Sequence, residues 1–364
     1  MQSENKIQVA LAFSDDSGQY ARHVAAVMAS VFTNTKSAVR VHLIHDDTLT
    51  EENRSKLLDT ARAFNQEAVC INVENRTGDC VLGAKRHASA GAKATYYRLL
   101  IPSLFDFDKV IYLDCDIIVN LDIAELWNIP LDGAAIAAVP EMELSEKPES
   151  LKGWVRRNLV YSVMMGLDLK NHYYFNAGVL AMNLKKIREN YNFAKLVEYF
   201  FAKFRKVIQF EDQDCLNYIF SGDCLYIDPK FNYMGYQSYD TLDLERARGR
   251  IWHFACDDKP WSSYSRPGID NLYWKYLAMT PYCGNADELI ALLLDGMSGS
   301  KYYHPHSSDC SGRLKKKLAG SITRGHLLNY PRVFWSLCKA VLSGKTARRG
   351  AADAFVQEEC CENH

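Results

Sequence analysis

Two carboxylates interrupt an otherwise apolar run at Val110-Ile-Tyr-Leu-Asp114-Cys-Asp116-Ile-Ile-Val119. Burying unpaired carboxylates is costly, so a positive partner is expected beside them. If the segment is extended, residues two apart project to one side, and Asp114 and Asp116 converge on a single cation. Hard carboxylate oxygens suit Mg²⁺ or Mn²⁺, ions commonly shared with phosphate oxygens of a substrate. The competing reading is a strand that runs into a turn and exposes both aspartates.

Three further segments carry chemistry. Tyr174-Phe-Asn176-Ala-Gly178-Val-Leu180 sets a polar side chain and a glycine inside a strand pattern, where glycine marks close approach of a ligand or another chain segment. Glu211-Asp212-Gln213-Asp214 reads as the first turn of a helix, whose positive end favours acidic residues. Helix capping by itself would account for Asp212. His253-Phe-Ala-Cys256-Asp-Asp-Lys259-Pro-Trp261 follows the apolar pair Ile251-Trp252 and brings an imidazole and an ammonium to a strand end. Taken singly, each of those two groups has an ordinary structural reading.

Positioning these groups takes a sheet with helices on its faces, and the apolar pattern supplies one. Strand-length runs are expected at Ile7–Phe13, Val39–Ile44, Ala68–Val73, Lys109–Leu113, Ala134–Val139 and Tyr173–Leu184. Helical periodicity falls at Tyr20–Phe32, with Val24, Val27, Met28 and Val31 on one face, and at Glu51–Phe64, Thr95–Leu100, Asp122–Trp127 and Asn192–Lys206. Glu141–Lys170 is less regular and is expected to form a flap. The fold class is therefore α/β, with one α/β domain over 1–280, a transition over 281–312 and a C-terminal tail over 313–364.

Composition narrows the functional classes. Of 364 residues, 48% are hydrophobic and 24% charged, the balance of a globular chain. A net charge of −1 argues against a nucleic-acid binder. The charge is unevenly spread: Arg313–Arg349 holds ten Lys/Arg and no Asp/Glu, leaving the remainder distinctly acidic. Within that tail Phe334, Leu337, Cys338 and Val341 share one side of a helix opened by Pro331, an interfacial pattern. Contact with an anionic membrane is expected there, from the cytoplasmic side. The 11 cysteines fit a reducing cytoplasm better than a disulfide framework, and the opening MQSENKIQVALAF does not read as a secretory signal.

In their order, Leu113-Asp-Cys-Asp116, Phe175-Asn-Ala-Gly178, Asp212-Gln-Asp214 and His253 to Trp261 resemble the motif blocks of the retaining nucleotide-sugar glycosyltransferases of family 8, especially the bacterial lipopolysaccharide glucosyl- and galactosyltransferases. The resemblance spans roughly residues 7 to 265. It implies a GT-A type nucleotide-diphospho-sugar transferase fold with a mixed, mostly parallel sheet, a UDP-glucose or UDP-galactose donor, and Mn²⁺, with Mg²⁺ as the alternative. It makes Asp114, Asp116 and His253 metal ligands, Lys259 a diphosphate contact and Arg98 a donor-site arginine. Asn176, Asp212 and Gln213 would line the sugar where transfer happens, and Phe13, Asp15, Tyr20, Cys115, Ala177 and Cys256 would complete the donor pocket. The acceptor implied is lipopolysaccharide core or another surface glycan, with Glu141 a candidate contact in the flap.

The residue types suit that chemistry. A cation with Lys and Arg stabilises the charge that grows on a departing nucleoside diphosphate, so no strong general acid is needed. Gln213 is a weak nucleophile, which favours attack from the face of departure, with Asp212 and Gln213 supporting the reacting carbon. Two positions depart from the family pattern. Ser17-Gly18-Gln19 lengthen the loop after Asp15-Asp16, so Tyr20 becomes the residue that stacks on the base or, alternatively, packs on its helix neighbours. Cys256 stands where the family has glycine, adding a side chain beside the diphosphate.

Two rivals share the aspartate pattern. Haloacid dehalogenase-type phosphatases place Thr or Val two residues after the second Asp, where Ile118 stands here, and Asp257-Asp258-Lys259 poorly replaces their later lysine and acidic pair. A non-catalytic, membrane-associated carbohydrate-binding protein would use the tail and treat the aspartates as structural.

Overall fold

A computed structural model describes residues 6–74, 93–131, 133–141, 155–234, 247–255, 259–262 and 267–299. All lie in the first of two units of the chain, Met1–Lys301. The tail from 313, residues 142–154 of the expected flap, and Cys256 fall outside the described residues.

Strand β1 (Ile7–Phe13) is buried at every position, so both of its faces are covered. It pairs in parallel with β2 (Val39–His45) and with β4 (Lys109–Leu113); β3 (Glu67–Asn72) extends β2, also in parallel. β7 (Phe175–Asn183) runs against β4 and β6 (Ile136–Pro140), and β8 (Cys224–Tyr226) lies parallel to β6. The resulting seven-stranded sheet has the order β3-β2-β1-β4-β7-β6-β8, mixed and largely parallel as expected. Two short strands, β5 (Ile117–Asn120) and β9 (Arg250–His253), form a separate antiparallel pair.

One face of the sheet is covered by helices α1 (Ala21–Asn34) and α2 (Glu51–Ala63), where Val9, Leu11 and Phe13 meet Val24, Val27, Met28 and Val31. Each such side chain contributes about 1.5–3 kcal/mol through burial. The opposite face packs on α4 (Phe193–Phe204) and α5 (Glu211–Phe220), through Phe200, Phe204, Leu216 and Phe220. Instead of one apolar face, α1 is buried nearly all round. Its Ala26 and Ala29 join a third cluster with Ile269, Leu272 and Tyr273 of α6 (Pro267–Leu277).

Two further expectations are corrected. Residues 114–116 are not extended but form the turn between β4 and β5. The strand expected to reach Leu184 stops at Asn183, whose side chain accepts the Lys186 N–H (3.0 Å) and starts α3 (Leu184–Asn190). An Asn at this position offers the free helix donors a cap, and capping ends the strand. Part of the expected flap, Val155–Met164, winds as a π-helix continued by Met165 N–H to the Val160 carbonyl (3.0 Å). A last helix, α7 (Ala286–Gly299), follows α6. Among the described residues no helix is long and apolar enough to cross a membrane.

Candidate active site

The turn after β4 is pinned at both ends by backbone bonds. Asp114 N–H donates to the Gly178 carbonyl of β7 (2.8 Å), and Phe254 N–H donates to the Asp116 carbonyl (2.9 Å). Because Ile117 of β5 pairs with His253 of β9, the imidazole arrives beside both carboxylates. Its Nε2 lies 3.3 Å from Asp116 Oδ1 and 3.8 Å from Asp114 Oδ2. The turn therefore achieves the convergence expected of an extended segment. The aspartates are not merely exposed, since their side chains retain only 20% and 15% of their accessibility.

Ligand atoms of Asp114, Asp116 and His253 lie within 4.8 Å of one another, the one such cluster among the described residues. Asp116 Oδ1 is buried without a hydrogen-bond partner, as an oxygen reserved for a cation would be. Two carboxylate oxygens and one imidazole nitrogen fit a divalent cation. The other Asp116 oxygen receives Lys259 Nζ, which also donates to the Phe254 carbonyl. Burial opposes charge on Asp116, yet the Lys259 ammonium beside it holds its carboxyl well below the usual range.

Arg98, on the short 3₁₀ helix Lys93–Leu100, organises the other side. Its guanidinium bonds Asp114 Oδ1 (2.7 Å), Asp212 Oδ2 (2.8 Å) and the Ala177 carbonyl (2.8 Å), while lying over the Tyr112 ring. Burial pushes the Asp212 carboxyl up to about 7, with Arg98 acting against that rise. Asp212 thus faces Arg98, and it is Asp214 that accepts the backbone N–H groups of Gln209 (2.7 Å) and Phe210 (3.0 Å) at the helix start. Gln213 Oε1 accepts Ala177 N–H (2.9 Å), which sets the amide against the Asn176-Ala177 step of β7.

The residues expected at the nucleoside lie in and after β1 and in the turn after β4. Asp15 accepts the N–H groups of Tyr20 (2.6 Å) and Ala21 (3.0 Å) and Nδ2 of Asn53 (2.7 Å), so both oxygens shape the lengthened loop. Tyr20 stands edge-on to His23, whose ring stacks on Trp261 at 3.8 Å. Phe13 is wholly buried and Cys115 nearly so, with Cys115 Sγ directed at the Ala12 carbonyl.

Two asparagines escaped the reading of the sequence. Asn217 on α5 accepts Phe175 N–H (2.8 Å) and donates to the Phe175 carbonyl (2.9 Å), stitching the helix to β7. Asn232 bridges His253 and Asn176. The signal for Asn217 was its spacing, one helical turn after Gln213. Asn232, in Asp228-Pro-Lys-Phe-Asn232, reads as an ordinary turn residue.

A carboxylate pair at the end of a central strand, backed by imidazole, ammonium and guanidinium, defines a glycosyltransferase of the GT-A fold when set on this sheet. The glycosyl transferase family 8 model matches residues 9–265, and the chain belongs to that family. It is similar to glycosyltransferase GlyF of Streptococcus pneumoniae (31% identical over 188 residues, 50% of this chain and 41% of the relative). It is also similar to the lipopolysaccharide 1,2-glucosyltransferase of Escherichia coli (26% over 205 residues, 50% and 56%). The matches thus span about half the length of these relatives. Among solved structures, the galactosyltransferase LgtC in complex with donor and acceptor sugar analogs superposes with a TM-score of 0.60 and 25% identity, covering 79% of this chain and 100% of that one. Family membership removes the phosphatase and non-catalytic readings.

Proposed function

We propose that the protein transfers a hexose, glucose or galactose, from a UDP-sugar to a glycan acceptor with retention of anomeric configuration. The observation that carries this reading is the convergence of Asp114, Asp116 and His253 on one point, with Arg98 linking Asp114 to Asp212. Those three residues would hold Mn²⁺, which supplies Lewis-acid stabilisation of the departing diphosphate. Lys259 stands beside the same carboxylate and adds positive charge to the diphosphate pocket. Asn176, Gln213 and Asp212 line the sugar; the tie from Gln213 to Ala177 N–H and the Arg98 pair keep them oriented without donor present. Glu141, 3.1 Å from Asn176 Nδ2, marks the acceptor side. The name of the E. coli relative favours lipopolysaccharide core, or another surface glycan, as acceptor. The basic tail would hold the enzyme at an anionic membrane surface.

A panel of nucleotide sugars assayed for hydrolysis, with Mn²⁺ or with chelator, tests the reading. UDP-glucose or UDP-galactose should turn over only with the cation. Asp116→Asn should lose at least about 10²–10³-fold in rate while keeping its melting temperature. Full turnover in chelator, or by the variant, would refute it.

A further inference from the structure

Four side chains join the acceptor side of the site to the imidazole, and their hydrogen-bond polarity follows from two groups whose roles are fixed. Gly178 N–H can only donate, and it lies 2.9 Å from Asn176 Oδ1. That contact orients the Asn176 amide, and the orientation agrees at its other end, where Nδ2 lies 3.1 Å from the Glu141 carboxylate. Asn176 Oδ1 is therefore an acceptor towards Asn232 as well, so the atom of Asn232 at 2.7 Å must be Nδ2. Asn232 then presents Oδ1 to His253 Nδ1 at 2.8 Å. An amide oxygen cannot donate, so Nδ1 carries the proton.

We infer that Asn232 is a positioning residue that holds His253 in the Nδ1–H tautomer and leaves Nε2 unprotonated and aimed at Asp114 and Asp116, ready to ligate a cation. The inference rests on the proposed metal site for its purpose, though not for its polarity. Asn232 is 2% exposed and Asn176 8%, so water does not compete for these bonds. The ring has little freedom to turn, because Gly178 leaves open the space its Cε1 occupies: a Cβ there would stand 2.3 Å from that atom. An outer partner of a ligating imidazole fixes both tautomer and ring angle, and losing it lowers metal affinity about 10–100-fold.

The test uses the full chain with ¹⁵N-labelled histidine. His253 is assigned by its disappearance in His253→Gln, and its ring nitrogens are read by two-bond ¹H–¹⁵N correlation in mildly alkaline solution. A protonated Nδ1 with a bare Nε2 is expected, against the usual preference of a free imidazole for Nε2–H. Electron paramagnetic resonance of added Mn²⁺, without nucleotide, should show affinity falling about 10–100-fold in Asn232→Leu. Asn232→Asp loses the donor to Asn176 Oδ1 but keeps an oxygen facing Nδ1, and should retain the Nδ1–H tautomer. An Nε2–H tautomer in the unsubstituted protein, or unchanged affinity in Asn232→Leu, would overturn the inference. If Asn232→Leu fails to fold, the spectrum of the unsubstituted protein still decides. Absence of any Mn²⁺ binding by the unsubstituted protein would instead defeat the metal site, while the tautomer continues to report on Asn232.

Discussion

Gly178 and His253 share one space, and only the absence of a side chain on Gly178 lets the imidazole sit against β7. Adding a methyl group at Gly178 would place a carbon 2.3 Å from His253 Cε1 and 2.8 Å from Nδ1. Neither the strand nor the β5-β9 pair can yield without breaking ladder bonds. Gly178→Ala should therefore destabilise the fold by about 1–3 kcal/mol, as overpacking does. It should also weaken Mn²⁺ binding, since His253 must rotate away; denaturant titration and Mn²⁺ resonance check the two effects separately. At this scale much could be read in advance. Asp114 and Asp116 stand out because charge inside an apolar run demands an explanation, and a glycine in a strand pattern announces close approach. Asn232 could not be read, because its importance comes from contacts 21 and 56 residues away along the chain.

Among the elements, the buried central strands followed local apolar pattern, while the short strand pair that brings the imidazole to the site did not. Ile7–Phe13 and Lys109–Leu113 form strands with the expected bounds, being short runs buried on both faces. The pairing of β5 with β9, which delivers His253, joins residues far apart along the chain and leaves no periodic trace. α6 buries Ile269, Leu272, Tyr273 and Tyr276 against α1, which explains why α1 carries small apolar residues on its far side. A pH effect belongs to β2. His42, packed against Phe105 and Phe107 and bonded to Gln8 (2.8 Å), has its pKa lowered to about 4 by burial, with Arg40 adding to the effect. Below its ordinary value of 6.5 the unfolded chain takes up a proton that the folded chain refuses, so stability falls as pH drops from 6.5 towards 4. Between pH 7 and 5 this group should cost about 2 kcal/mol. His42→Gln should flatten that part of the stability profile, as measured by urea unfolding at a series of pH values; an unchanged slope would show that His42 is not the group responsible.

Over the whole molecule, charge is divided between an acidic catalytic unit and the basic stretch Arg313–Arg349. Each basic residue near an anionic leaflet contributes about 1 kcal/mol, and salt screens the attraction over about 10 Å at 0.1 M. Truncation before Arg313 should abolish salt-sensitive binding to anionic vesicles and leave donor hydrolysis intact, with vesicle sedimentation as the readout. Vesicle binding equal to that of the full chain would assign the contact elsewhere. The family and fold were legible because four motif blocks kept their order between residues 113 and 261, whereas sugar and acceptor depend on pocket shape. The proposed retention of configuration is the property on which the roles proposed for Asn176, Asp212 and Gln213 bear most directly, and it can be measured without knowing the acceptor. Proton NMR should follow the first hexose released from an α-linked UDP-sugar in the presence of Mn²⁺, before mutarotation. An α-anomer is expected, and a β-anomer as the first-formed product would contradict the proposed chemistry.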